Sequence, residues 1–508
     1  MNKRTRLLAL FLVVGMFCSL TIPVFADEKK EYKDTLIWGQ GADVTSFDPH
    51  IGKETPAVEV TDQIFDTLTM LDEKGEVHPQ IAESWKAVSD TEYEFKIRDN
   101  VKFHDGSVVT PEDVKFSLER AIASNYVSYI VDFIKSVEVK DEHTVTITTK
   151  VPYAPILRNL AVPFAAIVPK AYVEKVGDEE FAKKPIGSGP YKFVSWQKGS
   201  NVKMEAFEDY FMGAPATAKL EMRVIPEAAQ RTIALETGEI DIAYDIQAND
   251  VNKIRDNDAL AMYEDNGLTC WYLSFNTKKS PFDNKLVRQA IRHAIDIPTI
   301  IQALLYGAGK PAGDLIAPGV FGYPGTEPYT YDVEKAKELL KEVGYENGFE
   351  CTLWVNDNQS RVEICQAIAD MLKKVNITCK VEIVEFGSFI QKTSNGEHDF
   401  AYFGWTTSSA DADYSYYSLI HSSQQGAPGN RSFFDNKDAD ALIEKGRTTT
   451  DPDERVKIYK DLEAILYDES PNDPLYYGNI NAGASKKVEN FILDPNGYHK
   501  LEGVKVLK

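Results

Sequence analysis

Residues 351–384 read CTLWVNDNQSRVEICQAIADMLKKVNITCKVEIV, and this stretch decides the fold class. Cys351 to Val355 is a short apolar run that suits a buried strand, Val362 to Val375 has the spacing of an amphipathic helix, and Ile377 to Val384 is a second apolar run. Strand, helix and strand in succession make a βαβ unit. Its two strands must run parallel, because the crossover helix returns the chain to the end where the first strand began. Working outward, Tyr93 to Arg98 alternates apolar and polar residues. After the turn Asp105-Gly106, the run Thr110-Pro111-Glu112-Asp113 opens a helix, with Thr110 as cap and Pro111 in a first turn that needs no amide donor. Val114, Phe116, Leu118 and Ala121 supply that helix with apolar contacts. A third helix starts near Asp332, groups Val333, Ala336, Leu339 and Leu340 on one side, and stops at Gly344. Such alternation along most of the chain predicts an α/β fold. Lys310-Pro311-Ala312-Gly313 and Ala317-Pro318-Gly319 are short enough to be loops within a domain.

The amino terminus carries Lys3, Arg4 and Arg6, then an apolar run from Leu7 to about Ile22, then Val24-Phe25-Ala26. This pattern predicts a secretory signal peptide, residues 1–26, cut after Ala26. The run is too short to span a bilayer, and Met16-Phe17 before Cys18 do not suit lipid anchoring. The chain of 508 residues has a formal charge of −22 at pH 7, and its leader holds only positive charges. The exported part is therefore more acidic still, which excludes nucleic acid and anionic lipid as natural partners. Beyond the leader stand Cys270, Cys351, Cys365 and Cys379, without a C-x-x-C pair or the spacing of a zinc site. Cys351 and Cys379 fall on the two predicted parallel strands, so a disulfide and a pair of buried free thiols both stay open.

Hydrolase motifs are missing: there is no G-x-S-x-G elbow and no H-E-x-x-H helix, and the eight histidines are scattered. Asp411-Ala412-Asp413 begins like a calcium loop, but Tyr416 stands where glycine is needed and Ser422 where glutamate is needed. Asp413 then reads as the cap of a helix over Tyr414 to Ile420. Neither a metal nor a cofactor is expected. The aromatic residues, 25 Tyr, 25 Phe and 6 Trp, fall partly beside polar turns. Tyr244-Asp245, Trp271-Tyr272 and Gly404-Trp405-Thr406-Thr407-Ser408 each join a flat ring to hydrogen-bonding groups, a combination suited to a cleft around a polar organic solute. Each one alone also serves as ordinary packing.

Thr45-Ser46-Phe47-Asp48-Pro49-His50, Ile64-Phe65-Asp66-Thr67-Leu68 and Ile81-Ala82-Glu83-Ser84-Trp85 are followed by Tyr93 to Arg98, Val101-Lys102-Phe103-His104-Asp105-Gly106 and Pro111 to Ser117. Then come Gly187-Ser188-Gly189-Pro190-Tyr191, Glu236 to Asp241, Phe275-Asn276-Thr277 and Val287 to Ile291. In this order the chain resembles the family 5 extracellular solute-binding proteins, which include dipeptide-, oligopeptide-, glutathione- and nickel-binding components of ABC importers. The resemblance implies a two-lobed periplasmic-binding-protein type II fold with an additional subdomain inserted in lobe I. Lobe I would hold residues 27–275 and the returning 483–508, the inserted subdomain about 66–185, and lobe II 276–482. Hinges would lie near Trp271 to Asn276 and Asn479 to Ser485. His104 and Asp105 would be turn residues.

By the same resemblance the protein is not an enzyme. It would capture a short peptide or peptide-like ligand as a monomer outside the cytoplasm and deliver it to a membrane permease and ATPase subunits. A nickel chelate or sugar is the alternative ligand, and a secreted hydrolase the alternative class. In peptide-binding relatives an aspartate three residues after the tryptophan of the Gly-Trp loop pairs with the ligand's α-amino group. Ser408 stands there, so Asp411 is expected to supply the charge, with Trp405 as a wall and Thr406 and Thr407 as hydrogen-bonding groups. The loop is similar to that of the glutathione-binding branch. Arg361 matches, across a shorter connection, an arginine that holds the ligand carboxylate in dipeptide-binding relatives. Trp271, Tyr244 and Asp245 are expected on the opposite wall.

Overall fold

Glu350–Asn356 and Thr378–Val384 pair in parallel, with the helix Gln359–Leu372 crossing between them. This computed structural model describes residues 30–51, 55–427 and 429–508; the expected leader lies outside them. The helix begins earlier than the apolar pattern suggests, because the Asn358 side chain accepts the Arg361 amide and caps it. It tightens into a 3₁₀ turn at Lys373–Val375 and ends at Asn376, whose φ is 63°. Cys351 stands directly opposite Cys379 in the ladder, and all four cysteines among the described residues are buried free thiols.

These strands form one edge of an eleven-stranded sheet. Beyond them lie Phe400–Thr406, then the long strands Leu260–Phe275 and Asn472–Ser485, then Ile242–Tyr244, Thr35–Gln40, Lys219–Val224, Asn201–Ala206 and Tyr191–Gln197. Lys310–Pro311 pairs with Asn472–Ser485 off this path. The two long strands are shared by both halves of the molecule. Thr269–Phe275 pairs with Phe400–Thr406, whereas Ile242–Tyr244 pairs with residues 482–484. Their mutual register breaks between Asn266 and Cys270. There the backbones approach so closely that a Cβ on Gly267 would stand 3.1 Å from the Gly478 carbonyl, and one on Gly478 2.9 Å from Trp271 Nε1. Glycine at both positions is what this junction needs.

A second sheet of four strands, Ala82–Ser89, Glu92–Ile97, Thr144–Thr149 and Ile134–Asp141, has its own core around Phe95, Val114, Leu118, Val145 and Ile147. Its helix Pro111–Ala123 starts with a reciprocal cap between Thr110 and Asp113. His104 and Asp105 are spent on the preceding turn, His104 Nε2 against the Gly189 carbonyl and Asp105 Oδ1 on Ser107. The third predicted helix is Val333–Glu342, capped by Asp332 and ended before Gly344 at φ 82°. The helix Ala412–Ile420 corrects one expectation. Asp411 is its cap, not Asp413, which instead accepts a hydrogen bond from the Tyr153 hydroxyl. No helix among the described residues is long and apolar enough to cross a membrane.

Candidate functional site

The register break opens a cavity where the two halves meet. One wall comes from the end of Ile242–Tyr244 and from residues 478–481 and 495–497, the other from Thr269, Trp271 and Thr406. Tyr244 is fixed by stacking on Trp38 at 5.7 Å and by an edge contact with His499. Burial, followed by the field of Glu59, holds its phenol well above the usual range. Asp245 follows at φ 58° with 80% of its side chain exposed.

Opposite, Trp271 is the centre of a stack. Its ring lies nearly parallel to Tyr402 at 5.4 Å, and the Arg361 guanidinium sits 4.6 Å from the ring centroid. Arg361 also donates to Asn356 Oδ1 at 2.9 Å. The guanidinium is thus held by a cation–π contact and one hydrogen bond, leaving donors for a planar anion. Burial draws its pKa down, while the tyrosines 402 and 476 and then Asp245 act in the opposite sense. Thr406 Oγ1 and Thr269 Oγ1 are 2.7 Å apart and bind the two adjacent strands together.

The loop after Thr406 behaves differently from its reading in the sequence. Asp411 does not offer its charge to the cavity, because both carboxylate oxygens are on Arg455. The loop is instead a seal between the two halves. Trp405 packs between the four-stranded subdomain's core and the core around Tyr416 and Tyr459, with its Nε1 donating to Ser415 Oγ. Thr407 is fully buried against Ser415, and Ser408 pairs with the Tyr498 hydroxyl at 3.2 Å. Of the nine residues expected at the site, Tyr244, Asp245, Trp271 and Thr406 line the cavity, and Arg361 stacks on its wall. Trp405, Thr407, Ser408 and Asp411 are absent from that lining.

Thr269, Asn479 and Asn496 also line the cavity and were missed. The alternation of Asn479, Ile480 and Asn481 along a hinge strand is the signal that could have found Asn479. No histidine or cysteine stands among the described lining residues. The set Asp72, Glu76 and His78 could hold a cation by geometry, but Asp72 is already bonded to His78 and none of the three lines the cavity.

The sequence model for bacterial extracellular solute-binding proteins, family 5 middle, matches residues 76–427. The chain belongs to this family. The family 5 protein is 31% identical over 462 residues to the dipeptide-binding protein of Escherichia coli K12, covering 85% of this chain and 86% of the relative. It is 30% identical over 477 residues to the glutathione-binding protein GsiB of Escherichia coli K12, covering 91% and 93%. Among solved structures it matches the ABC transporter-associated periplasmic binding protein DppA of Helicobacter pylori, in complex with the peptide STSA. That match has a TM-score of 0.86 at 31% identity and covers 95% of this chain and 99% of that one. The family 5 protein therefore has the two-lobed type II fold.

Proposed function

We propose that this family 5 protein is the extracytoplasmic substrate-binding component of an ABC importer and captures short peptides or peptide-like solutes without chemical turnover. One observation carries this reading: a cavity at the junction of the halves has Tyr244 and Trp271 as aromatic walls and Arg361 stacked on one of them. Flat rings give apolar area at small entropic cost, and a guanidinium fits a carboxylate in two-point contact. The peptide in the Helicobacter pylori protein and the dipeptide-binding relative support the same ligand class. The described lining offers neither imidazole nor thiolate to a bare metal ion.

The working unit in this reading is a monomer. Lobe I holds residues 27–275 and 483–508, with the inserted subdomain at about 66–185, and lobe II holds 276–482. Ligand contacts from both lobes favour the closed state, and the permease and ATPase subunits receive the loaded form. Residues 1–26 direct export and are removed, so the native protein should begin at Asp27 by mass spectrometry. Calorimetry against di- to pentapeptides and glutathione tests the function, with one-to-one binding expected. Cleaved peptide in the cell, or binding restricted to sugars or metal chelates, overturns it.

A further inference from the structure

A peptide-like solute brings an ammonium as well as a carboxylate, and a charge taken out of water needs an opposite partner. Ser408 carries no charge, is 5% exposed and is turned to Tyr498. Other nearby carboxylates are committed. Asp411 is on Arg455, Glu59 on His499 and Asp62 on Lys500. Asp494 takes the Asn496 amide within its own turn.

Asp245 is different. It lines the cavity with most of its side chain exposed, and its carboxylate accepts no hydrogen bond among the described residues. Arg231 approaches to 3.8 Å but gives its donors to the carbonyls of Ile225, Pro226, Tyr244 and Asp245 itself. That leaves the carboxylate oxygens open. Asp245 is also near enough for its field to act on Arg361, which belongs to the other half of the molecule.

We propose that Asp245 anchors the cationic group of the ligand, with Arg361 opposite it, so that a zwitterion is held by one charge from each half. This rests on the peptide-like reading above and adds a polarity to it: amine toward the Tyr244–Asp245 turn, carboxylate toward the helix Gln359–Leu372. The ligand's own dipole then draws the two halves together. A solute with only one of its charges engages one half and favours closure less. The anchor lies in a different segment from the Ser408 loop, which is absent from the cavity lining.

The test uses the mature protein, its Asp245→Asn and Asp245→Glu variants, and the dipeptide alanyl-phenylalanine with its N-acetyl and C-amide derivatives. Asparagine tolerates the left-handed backbone that this position requires, so the Asn variant should fold. Calorimetry should find that N-acetylation weakens wild-type binding by about tenfold to hundredfold. Asp245→Asn should weaken binding of the free dipeptide by a similar factor and leave the N-acetyl form unaffected, while Asp245→Glu recovers part of the loss. If wild type holds the free and N-acetyl forms equally, or Asp245→Asn leaves the free dipeptide unchanged, the anchor is refuted and the peptide reading survives. If wild type binds neither these dipeptides nor glutathione, the peptide reading fails and this polarity with it.

Discussion

Asp411 and Arg455 form a two-point ion pair at 2.8 and 2.9 Å, with side chains 1% and 5% exposed. Their sequence separation is 44 residues, and the pair ties the start of the helix Ala412–Ile420 to the helix Pro452–Glu469. Replacing Asp411 with alanine would leave a buried guanidinium unpaired and remove a helix cap. The expected loss is about 3–5 kcal/mol of stability, read as a fall in the urea midpoint. A variant that unfolds like wild type but loses peptide binding would return Asp411 to the ligand.

Asp66 provides a pH test. It is fully buried, accepts hydrogen bonds from Gln80, Ser188 and Tyr210, and is pushed up to about 6, chiefly by burial. A carboxyl with a raised folded pKa binds its proton more tightly in the folded state. Its stabilising contribution is complete below about pH 4 and is lost as pH rises through 6. The stability gap between wild type and Asp66→Asn should therefore shift toward the variant by about 2 kcal/mol between pH 4 and pH 7. Denaturant unfolding at both pH values measures it, and a gap independent of pH would contradict the assignment.

The sequence displays these relationships unevenly. The βαβ unit, the Thr110 and Asp332 caps and the stop at Gly344 were legible because each depends on residues within one or two turns of one another. The cavity was only half legible. Tyr244, Asp245 and Trp271 were marked by rings beside polar groups, but Thr269 and Asn479 acquire their role only where two strands more than 200 residues apart lose register. Asp411 was misread for the same physical reason. Local spacing shows a carboxylate near a tryptophan, but nothing in it reveals an arginine on a distant helix.

The two tryptophans should separate cleanly. Trp271 lines the cavity and supports Arg361, so Trp271→Ala should weaken peptide binding by about 2–4 kcal/mol. Trp405 fills the seam between two cores, so Trp405→Ala should cost about 3–5 kcal/mol of stability. Parallel calorimetry and thermal unfolding on both variants decide the matter. Equal effects on binding and stability for the two would erase the distinction between wall and seam.

Closure offers the last test. The Tyr153 hydroxyl donates to Asp413 Oδ2 at 2.9 Å, and the Arg447 guanidinium lies 5.2 Å from the Tyr153 ring centroid. Arg447 also stands 3.4 Å from Asp413 and 3.5 Å from Asp132, and its carbonyl accepts the Ala154 amide. Tyr153 packs in the core of the four-stranded subdomain and Asp132 ends the helix Ser128–Val131, whereas Asp413 and Arg447 belong to the helices Ala412–Ile420 and Lys437–Thr448. None of the four lines the cavity. If the halves rotate about the long strands, this network exists only when they are closed, and its strength sets how much of the protein is closed before a ligand arrives. Tyr153→Phe removes one hydrogen bond to a charged group and keeps the ring. Apparent peptide affinity should then fall by about 1–2 kcal/mol although no ligand contact has changed. X-ray scattering should find the ligand-free variant more extended than wild type and the peptide-saturated variant equal to it. An unchanged affinity together with an unchanged ligand-free radius would mean that the network forms in both states and does not govern closure.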